Sequence, residues 1–159
     1  MADHLLTGKI ALVAGGAKNL GGLIARDLAA HGVGGIAIHY NSGATQKAAD
    51  ETLAAVRALG VEAIALQADL TGSAAVEKLF ADTLAKFGKL DIAINTVGKV
   101  LKKPIIDTSE AEYDEMFAIN AKSAFLFLQA AGKHVADHGK VCTLVTPLLG
   151  AYTPFYAPY

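Results

Sequence analysis

The chain has 159 residues, 53% of them hydrophobic, and a formal net charge of −1. This length suits one domain over residues 1–159 with a substantial core. The near-neutral charge excludes the basic field with which proteins attract nucleic acid or anionic membranes. With one cysteine, Cys142, an internal disulfide is excluded, and we expect this residue to be buried in a strand. The N-terminus is polar and no apolar run approaches the roughly 20 residues of a spanning helix, so we expect a soluble, cytoplasmic protein.

Five short apolar runs alternate with helical patterns along the chain. The runs predict strands at residues 10–14, 36–40, 61–66, 90–95 and 141–146. Three of the helical patterns lead to a glycine, Gly32, Gly60 or Gly88, the residue that most easily adopts the left-handed conformation that ends many helices. Strands alternating with helices predict βαβ units. Right-handed crossovers then give an α/β fold of three layers, a doubly wound parallel sheet with helices on both faces.

The longest predicted helix begins at a capping box, Ser109-x-x-Glu112, and runs to about Val135. Its middle, residues 116–131, is apolar nearly all round, which is typical of a helix buried on two sides. No later element of this chain covers the outer side. We therefore expect either a homo-oligomer formed through residues 116–131 or a fragment of a longer protein.

A glycine-rich segment, residues 14–21 (AGGAKNLG), joins the first strand to the first helix. Glycines let the main chain come close to a ligand, and a helix N-terminus offers unpaired N–H groups and a partial positive charge. Between a strand and a helix of a βαβ unit, such a loop predicts a pyrophosphate site and hence a dinucleotide. The alternative is a glycine turn that serves only the packing of the helix on the sheet.

The end of the second strand bears on which dinucleotide is bound. NAD-binding folds place an acid there for the ribose 2′-hydroxyl, but this chain reads Tyr40-Asn41-Ser42, and Lys18 lies in the glycine loop. A carboxylate would repel a 2′-phosphate, whereas a lysine, a serine hydroxyl and main-chain N–H groups attract it. We therefore expect NADP(H) to be preferred over NAD(H). A solvated surface charge is the alternative for Lys18.

Further motifs follow the third and fourth strands and the start of the long helix. Asp69-Leu70, residues 95–98 (NTVG) and Asn120, together with the glycine loop, resemble the short-chain dehydrogenase/reductase family over essentially the whole chain. In the family's loop, Thr-Gly-x-x-x-Gly-x-Gly, Ala14 replaces the threonine and Asn19 the middle glycine. Asparagine tolerates left-handed backbone, so we expect the turn to survive. The family's Asn-Asn-Ala-Gly appears as NTVG.

The resemblance implies a Rossmann fold without its C-terminal strands, with Asp69 and Leu70 bordering the adenine and Asn95 and Gly98 lining the nicotinamide ribose. The alternatives are a helix cap for Asp69 and turn residues at a strand end for Asn95 and Gly98. The candidate cofactor-binding residues are Gly15, Ala17, Lys18, Asn19, Leu20, Gly21, Tyr40, Asn41, Ser42, Asp69, Leu70, Asn95, Thr96, Val97 and Gly98.

The family's catalytic set is Asn, Ser, Tyr and Lys, the last two spaced as Tyr-x-x-x-Lys. By resemblance, Asn120 and Tyr159 are the catalytic candidates, and the alternative for Asn120 is a structural hydrogen bond. Pro147 stands where the serine is expected, and the lysine falls beyond Tyr159. Tyr152 and Tyr156 have no lysine four residues later, so we interpret both as loop aromatics.

The resemblance therefore implies an NADP(H)-dependent oxidoreductase that transfers hydride between nicotinamide and a small-molecule carbonyl or alcohol. In this truncated form we expect it to be weakly active or inactive. The alternatives are a non-catalytic nucleotide-binding or interaction module of the same fold, and a flavodoxin-like domain. The loop lysines Lys99, Lys102 and Lys103 either recognise an anionic substrate or are solvated. No spacing of His, Cys and Asp predicts a metal site.

Overall fold

The computed structural model describes residues 6–146, 148, 150, 154–157 and 159. Within them lies a parallel sheet with the strand order β3-β2-β1-β4-β5. Its strands are β1 (Ile10–Ala14), β2 (Gly35–Tyr40), β3 (Glu62–Gln67), β4 (Ile92–Asn95) and β5 (Lys140–Thr143). The predicted strands are confirmed. The largest difference is at β5, which ends at Thr143 instead of residue 146.

The strand order identifies the type of sheet. It reverses between β1 and β4, as in the Rossmann order 3-2-1-4-5, whereas a flavodoxin-like sheet has the order 2-1-3-4-5. The Rossmann prediction is confirmed and the flavodoxin-like alternative is wrong. Ligands of such sheets bind beyond the carboxyl ends of the strands, in the crevice at this reversal.

Helices cover both faces of the sheet, as predicted. They are α1 (Asn19–Ala30), α2 (Gln46–Ala58), α3 (Ser73–Phe87), α4 (Glu110–Phe117) and α5 (Ser123–His134). Helices α1 and α2 bury one face in a core that includes Val13, Ile38 and Leu53. Helices α3 and α5 bury the other face, where the rings of Phe80 and Phe127 lie 5.1 Å apart.

The predicted helix signals are present. Gly32, Gly60 and Gly88 have φ angles of +76°, +80° and +77°, the left-handed conformation expected after a helix. The capping box at the start of α4 is formed by Ser109 and Glu112. The long helix is continuous but not uniform, because a π-helical turn, Ala118–Lys122, joins α4 to α5. Such turns are rare and occur often at functional sites.

The outer side of the long helix is exposed. Phe117, Phe125 and Leu128 are 51%, 63% and 41% exposed. Cys142 is also exposed, so the prediction that it is buried is wrong. The reason is its strand, β5, which pairs with β4 and ends the sheet in the described part of the chain. Among the described residues, no helix is both long enough and apolar enough to cross a membrane.

Candidate functional site

A cleft with two adjoining parts lies at the carboxyl ends of the strands. One part, about 270 Å³, borders the glycine loop, and the other, about 500 Å³, reaches the β3–α3 loop and the junction of α4 with α5. The predicted cofactor-binding residues that line it are Gly15, Lys18, Asn19, Leu20, Gly21, Asn41, Asp69, Leu70, Thr96, Val97 and Gly98. The structure therefore brings together residues from four separate segments of the chain.

Four predicted cofactor residues lie outside this lining. The buried Ala17 accepts a hydrogen bond from the Thr52 hydroxyl through its carbonyl (2.8 Å), and Tyr40 is buried in the core with its hydroxyl donating to Gln46. The carbonyl of Ser42 accepts the N–H and hydroxyl of Thr45. Each of these residues supports a loop or helix beside the cleft.

The fourth is Asn95, a buried residue at the end of β4. Its Oδ1 accepts the N–H of Val97 (3.0 Å), and its Nδ2 donates to the Thr143 hydroxyl (3.2 Å). These bonds shape the turn that places Val97 and Gly98 in the cleft. The turn role predicted as the alternative for Asn95 is thus the one these contacts show.

The glycine loop is shaped to approach a ligand through its main chain. Gly15 has φ +76°, and Asn19 has φ +51°, which confirms that asparagine holds the left-handed turn. The first N–H groups of a helix have no acceptor within the helix. At the start of α1 the N-cap residue is Lys18, whose side chain does not accept a hydrogen bond from them. A Cβ on Gly21 would collide with the Gly15 carbonyl and lie 2.6 Å from Thr96 Oγ1. This open, amide-lined turn fits a diphosphate.

Asp69 stands at the rim of the cleft as a carboxylate. Its Oδ1 accepts the N–H (3.0 Å) and the hydroxyl (2.8 Å) of Thr71, and these bonds hold the pKa of Asp69 below its ordinary range. The helix-cap alternative is wrong, because Gly72 caps α3. Across the described residues, no group of three His, Cys, Asp or Glu side chains is arranged to hold a metal ion.

The Asn120 side chain forms hydrogen bonds to the main chain of Lys99. Its Oδ1 accepts the N–H of Lys99 and its Nδ2 donates to the Lys99 carbonyl, both at 2.9 Å. The π-helical turn carries this side chain, and the Cβ of any residue replacing Gly98 would lie 3.2 Å from Oδ1. Asn120 therefore ties the long helix to the loop that follows β4.

The C-terminal residues lie beside the same loop. The Lys103 N–H donates to the Phe155 carbonyl (2.8 Å), and Lys102 Nζ lies 5.1 Å from the centre of the Tyr156 ring. The Tyr159 ring is 6.3 Å from that ring, and the residue is 40% exposed. Pro147 and Tyr152 lie outside the described residues.

Two of the three loop lysines are engaged by acids of α4. Lys99 Nζ is 2.5 Å from Glu115, and Lys103 Nζ is 2.9 Å from Glu112. Lys103 is the main cause that lowers the pKa of Glu112 to about 2, and Ser109 adds to it. These pairings favour a structural role for the loop lysines over recognition of an anionic substrate.

Sequence reasoning did not assign several residues that line the cleft. His39 lines both parts, and Glu115, Ile119 and Ser123 line the larger part. The signals were present: His39 is a polar residue at the end of an apolar strand, and the other three recur at a spacing of four on one helix face.

Comparison with known protein families gives one match that covers most of the chain. The family model described as enoyl-(acyl carrier protein) reductase matches residues 15–159. Hydroxynaphthalene reductase arp2 of Aspergillus fumigatus is 34% identical over 97% of this chain and 55% of its own length. Elsinochrome reductase 1 of Elsinoe fawcettii is 38% identical over 89% of this chain and 52% of its own.

Solved structures agree with this match. A Burkholderia cenocepacia protein with bound NADP is 68% identical, with a TM-score of 0.95 over all of this chain and 60% of its own. A short-chain dehydrogenase of Oenococcus oeni is 44% identical, with a TM-score of 0.81 over 98% of this chain and 70% of its own. The chain thus spans about half the length of the reductases and somewhat more of the structures. On the family match and these likenesses, the chain belongs to the short-chain dehydrogenase/reductase family.

Proposed function

We propose that this chain binds NADP(H) and belongs to an oxidoreductase that transfers hydride between nicotinamide and a small-molecule carbonyl or alcohol. The observation that carries the proposal is the glycine loop, which presents main-chain amides at the reversal point of a Rossmann sheet. The likeness to a 68% identical protein with bound NADP supports it.

A preference for NADP(H) over NAD(H) is part of the proposal. Lys18 and Asn41 line the same part of the cleft, beside the glycine loop. The second strand ends without the acid that would bind the ribose hydroxyls of NAD and repel a 2′-phosphate. A cation at this place attracts the phosphate, which carries close to two negative charges at neutral pH.

In the proposed reaction the bound nicotinamide supplies or accepts the hydride. The residues of this chain bind and orient: the amides around Gly15 and Gly21 hold the diphosphate, and Val97 and Gly98 line the cleft beyond it. Asn120 fixes the neighbouring loop through Lys99. Tyr159 is proposed to exchange the proton of the carbonyl oxygen, as the family resemblance implies.

We propose that Pro147 makes turnover weak. Pro147 has no hydroxyl, and it stands where the resemblance implies the family's serine. Loss of one positioned proton-transfer group costs on the order of 10²–10⁴ in rate. Pro147 also favours the second candidate function, a coenzyme-binding module without catalysis.

Binding and turnover can be tested separately. We expect calorimetric titration of this chain to show tighter binding of NADPH than of NADH, and no binding of either would overturn the proposal. For turnover, the chain is joined to the segment that follows the matched region in the Burkholderia protein, with Pro147 or with Pro147→Ser. NADPH oxidation is then followed with aromatic and aliphatic ketones. If both chimeras bind NADPH and reduce no ketone, the second candidate function, a coenzyme-binding module without catalysis, is the correct one.

We also propose that the chain self-associates through residues 116–131. The exposed side chains Phe117, Phe125 and Leu128 form an apolar surface on the outer side of the long helix. An exposed apolar surface of this kind, here on α4 and α5, is typical of an interface between identical subunits.

A further inference from the structure

The His39 ring lies between two loops that line the two parts of the cleft. The residue is 2% exposed and stands near the end of β2, where the rest of the strand is apolar and buried. On one side the N–H of Gly15 lies 3.1 Å from Nδ1, and on the other the carbonyl of Ala68 lies 2.8 Å from Nε2. The ring therefore bridges the glycine loop and the β3–α3 loop.

These two partners determine which ring nitrogen carries the proton. An amide N–H can only donate, so Nδ1 must be the acceptor, and a carbonyl can only accept, so Nε2 must carry hydrogen. His39 is thus held as the neutral Nε2–H form. A protonated ring would place a second N–H against the Gly15 amide, and that contact would be lost.

We propose that His39 is a positioning residue that fixes the Gly15 amide in the diphosphate loop, and that protonation of its ring releases the loop and weakens coenzyme binding. The proposal rests on the proposed binding of NADP(H). Gly15 has φ +76°, and its carbonyl lies against Gly21 in the first turn of α1, so a displacement of Gly15 is transmitted to the start of that helix.

The surroundings of the ring set the pH range of this effect. Burial lowers the pKa of His39 below its ordinary value, while the bond to Ala68 and the negative charge of Asp69 raise the pKa by less. Lys18, Lys99 and Glu115 are the other charged groups that line the cleft beside His39, and the sheet partner of His39 on β3, Leu66, is apolar. The neutral form is therefore favoured near pH 7, and release is expected in acid.

Two substitutions separate the two hydrogen bonds. In His39→Asn the amide oxygen lies as many bonds from Cβ as Nδ1 does, so it can accept from Gly15 and does not titrate. In His39→Gln the amide reaches as far as Nε2, so it can donate to Ala68 but leaves Gly15 without an acceptor. His138→Asn is the control, because His138 is exposed and has a φ of +63° that asparagine tolerates.

The first measurement is the dissociation constant of NADP⁺ between about pH 5 and pH 8, by calorimetry. The 2′-phosphate also titrates near pH 6, but equally in every variant, so the comparison cancels it. We expect the acid loss of affinity to be about tenfold larger for the natural chain and His138→Asn than for His39→Asn. At pH 8, His39→Gln should bind about tenfold more weakly than His39→Asn. Equal pH profiles, or equal affinities of the two amide variants, would overturn the proposal.

A second measurement does not need coenzyme. Nitrogen and carbon chemical shifts of the ring, recorded by NMR on the free chain, report the tautomer and its titration. We expect the Nε2–H form at pH 7, and an Nδ1–H form would contradict the proposal. If the ring behaves as expected but NADP⁺ binds at no pH, the proposed function fails while the geometry of His39 holds. Variants that lower the melting temperature without changing affinity would show a merely structural residue.

Discussion

The side-chain amide of Asn120 and the main-chain N–H and carbonyl of Lys99 form a closed pair of hydrogen bonds, each 2.9 Å long. An amide side chain is the group best suited to this contact, because it offers one donor and one acceptor in a plane, which match the carbonyl and the N–H of a single residue. The pair joins the π-helical turn to the loop after β4. Lys99 is also held by its side chain, through Glu115, so the two attachments can be broken one at a time.

Removing the main-chain attachment should loosen the loop. We expect Asn120→Ala to lower the free energy of unfolding by about 1 kcal/mol, because two hydrogen bonds at the surface are replaced by water. Affinity for NADPH should also fall, because Asn120 holds Lys99 and the neighbouring Gly98 lines the cleft. The control is Glu115→Gln, which removes only the exposed ion pair and should cost less. Urea unfolding and calorimetric titration measure both quantities, and an equal effect of the two variants would contradict this role.

Packing of the glycine loop can be tested with two alanines. Gly21→Ala places a Cβ against the Gly15 carbonyl and Thr96 Oγ1, so we expect a loss of about 1–3 kcal/mol in urea unfolding and much weaker NADPH binding. Gly132→Ala is the matched control in α5, where a Cβ meets nothing within 4 Å. Alanine should stabilise that helix by up to about 1 kcal/mol. Normal coenzyme affinity in Gly21→Ala would show that the loop does not bind the diphosphate.

Lys18 should distinguish the two coenzymes. We expect Lys18→Ala to lower NADPH affinity several-fold, about 1 kcal/mol, and NADH affinity less, because only NADPH carries the 2′-phosphate. Lys140→Ala removes the same charge at the start of β5 and controls for the overall field. Competition titrations with both coenzymes give the ratio. A fall in NADPH affinity that Lys140→Ala reproduces would mean that Lys18 is a solvated charge.

Acid stability should depend on Glu112. Its pKa is held at about 2, chiefly by Lys103, so it binds its proton more weakly in the folded chain than in the unfolded chain. The resulting stabilisation is complete above the ordinary pKa, near 4.5, and is lost as the pH falls toward 2. We expect thermal unfolding of Glu112→Gln to show a shallower loss across this interval. Glu110→Gln, which removes a charge from the same helical turn, should keep the steep loss.

The apolar surface of the long helix should control self-association. In sedimentation experiments we expect the natural chain to dimerise and Phe125→Lys to remain monomeric, since a buried lysine charge at an interface is unfavourable. Leu59→Lys is the control, because Leu59 is similarly exposed, 53%, at the end of α2. A natural chain that is monomeric at high concentration would contradict the proposed interface.

Much of the fold could be predicted because its signals are local. Buried parallel strands are written as apolar runs, and Gly32, Gly60 and Gly88 mark helix ends through a backbone requirement of the residue itself. The exposure of Cys142 could not be predicted in this way. Its apolar neighbours resemble those of a central strand, and only the sheet order shows that β5 is the last strand of the sheet among the described residues.

The contacts within the site required the three-dimensional structure. Asn95 and Tyr40 stand where a cofactor contact is expected, but their side chains bind Thr143 and Gln46, and the first of these bonds joins residues that only the fold brings together. The bridging position of His39 depends in the same way on two loops that are distant in sequence. Sequence therefore located the cleft through its glycines, and the structure separated the residues that line it from those that support it.

The exposed edge of the sheet has a practical use. Cys142 is the sole cysteine and is accessible on β5, so one fluorescent dye can be attached to the chain at a known place without mutagenesis. Its emission would respond when another polypeptide, whether a second copy or a C-terminal extension, aligns beside that strand. Labelling speed in the presence of each candidate would then rank how completely they shield the thiol.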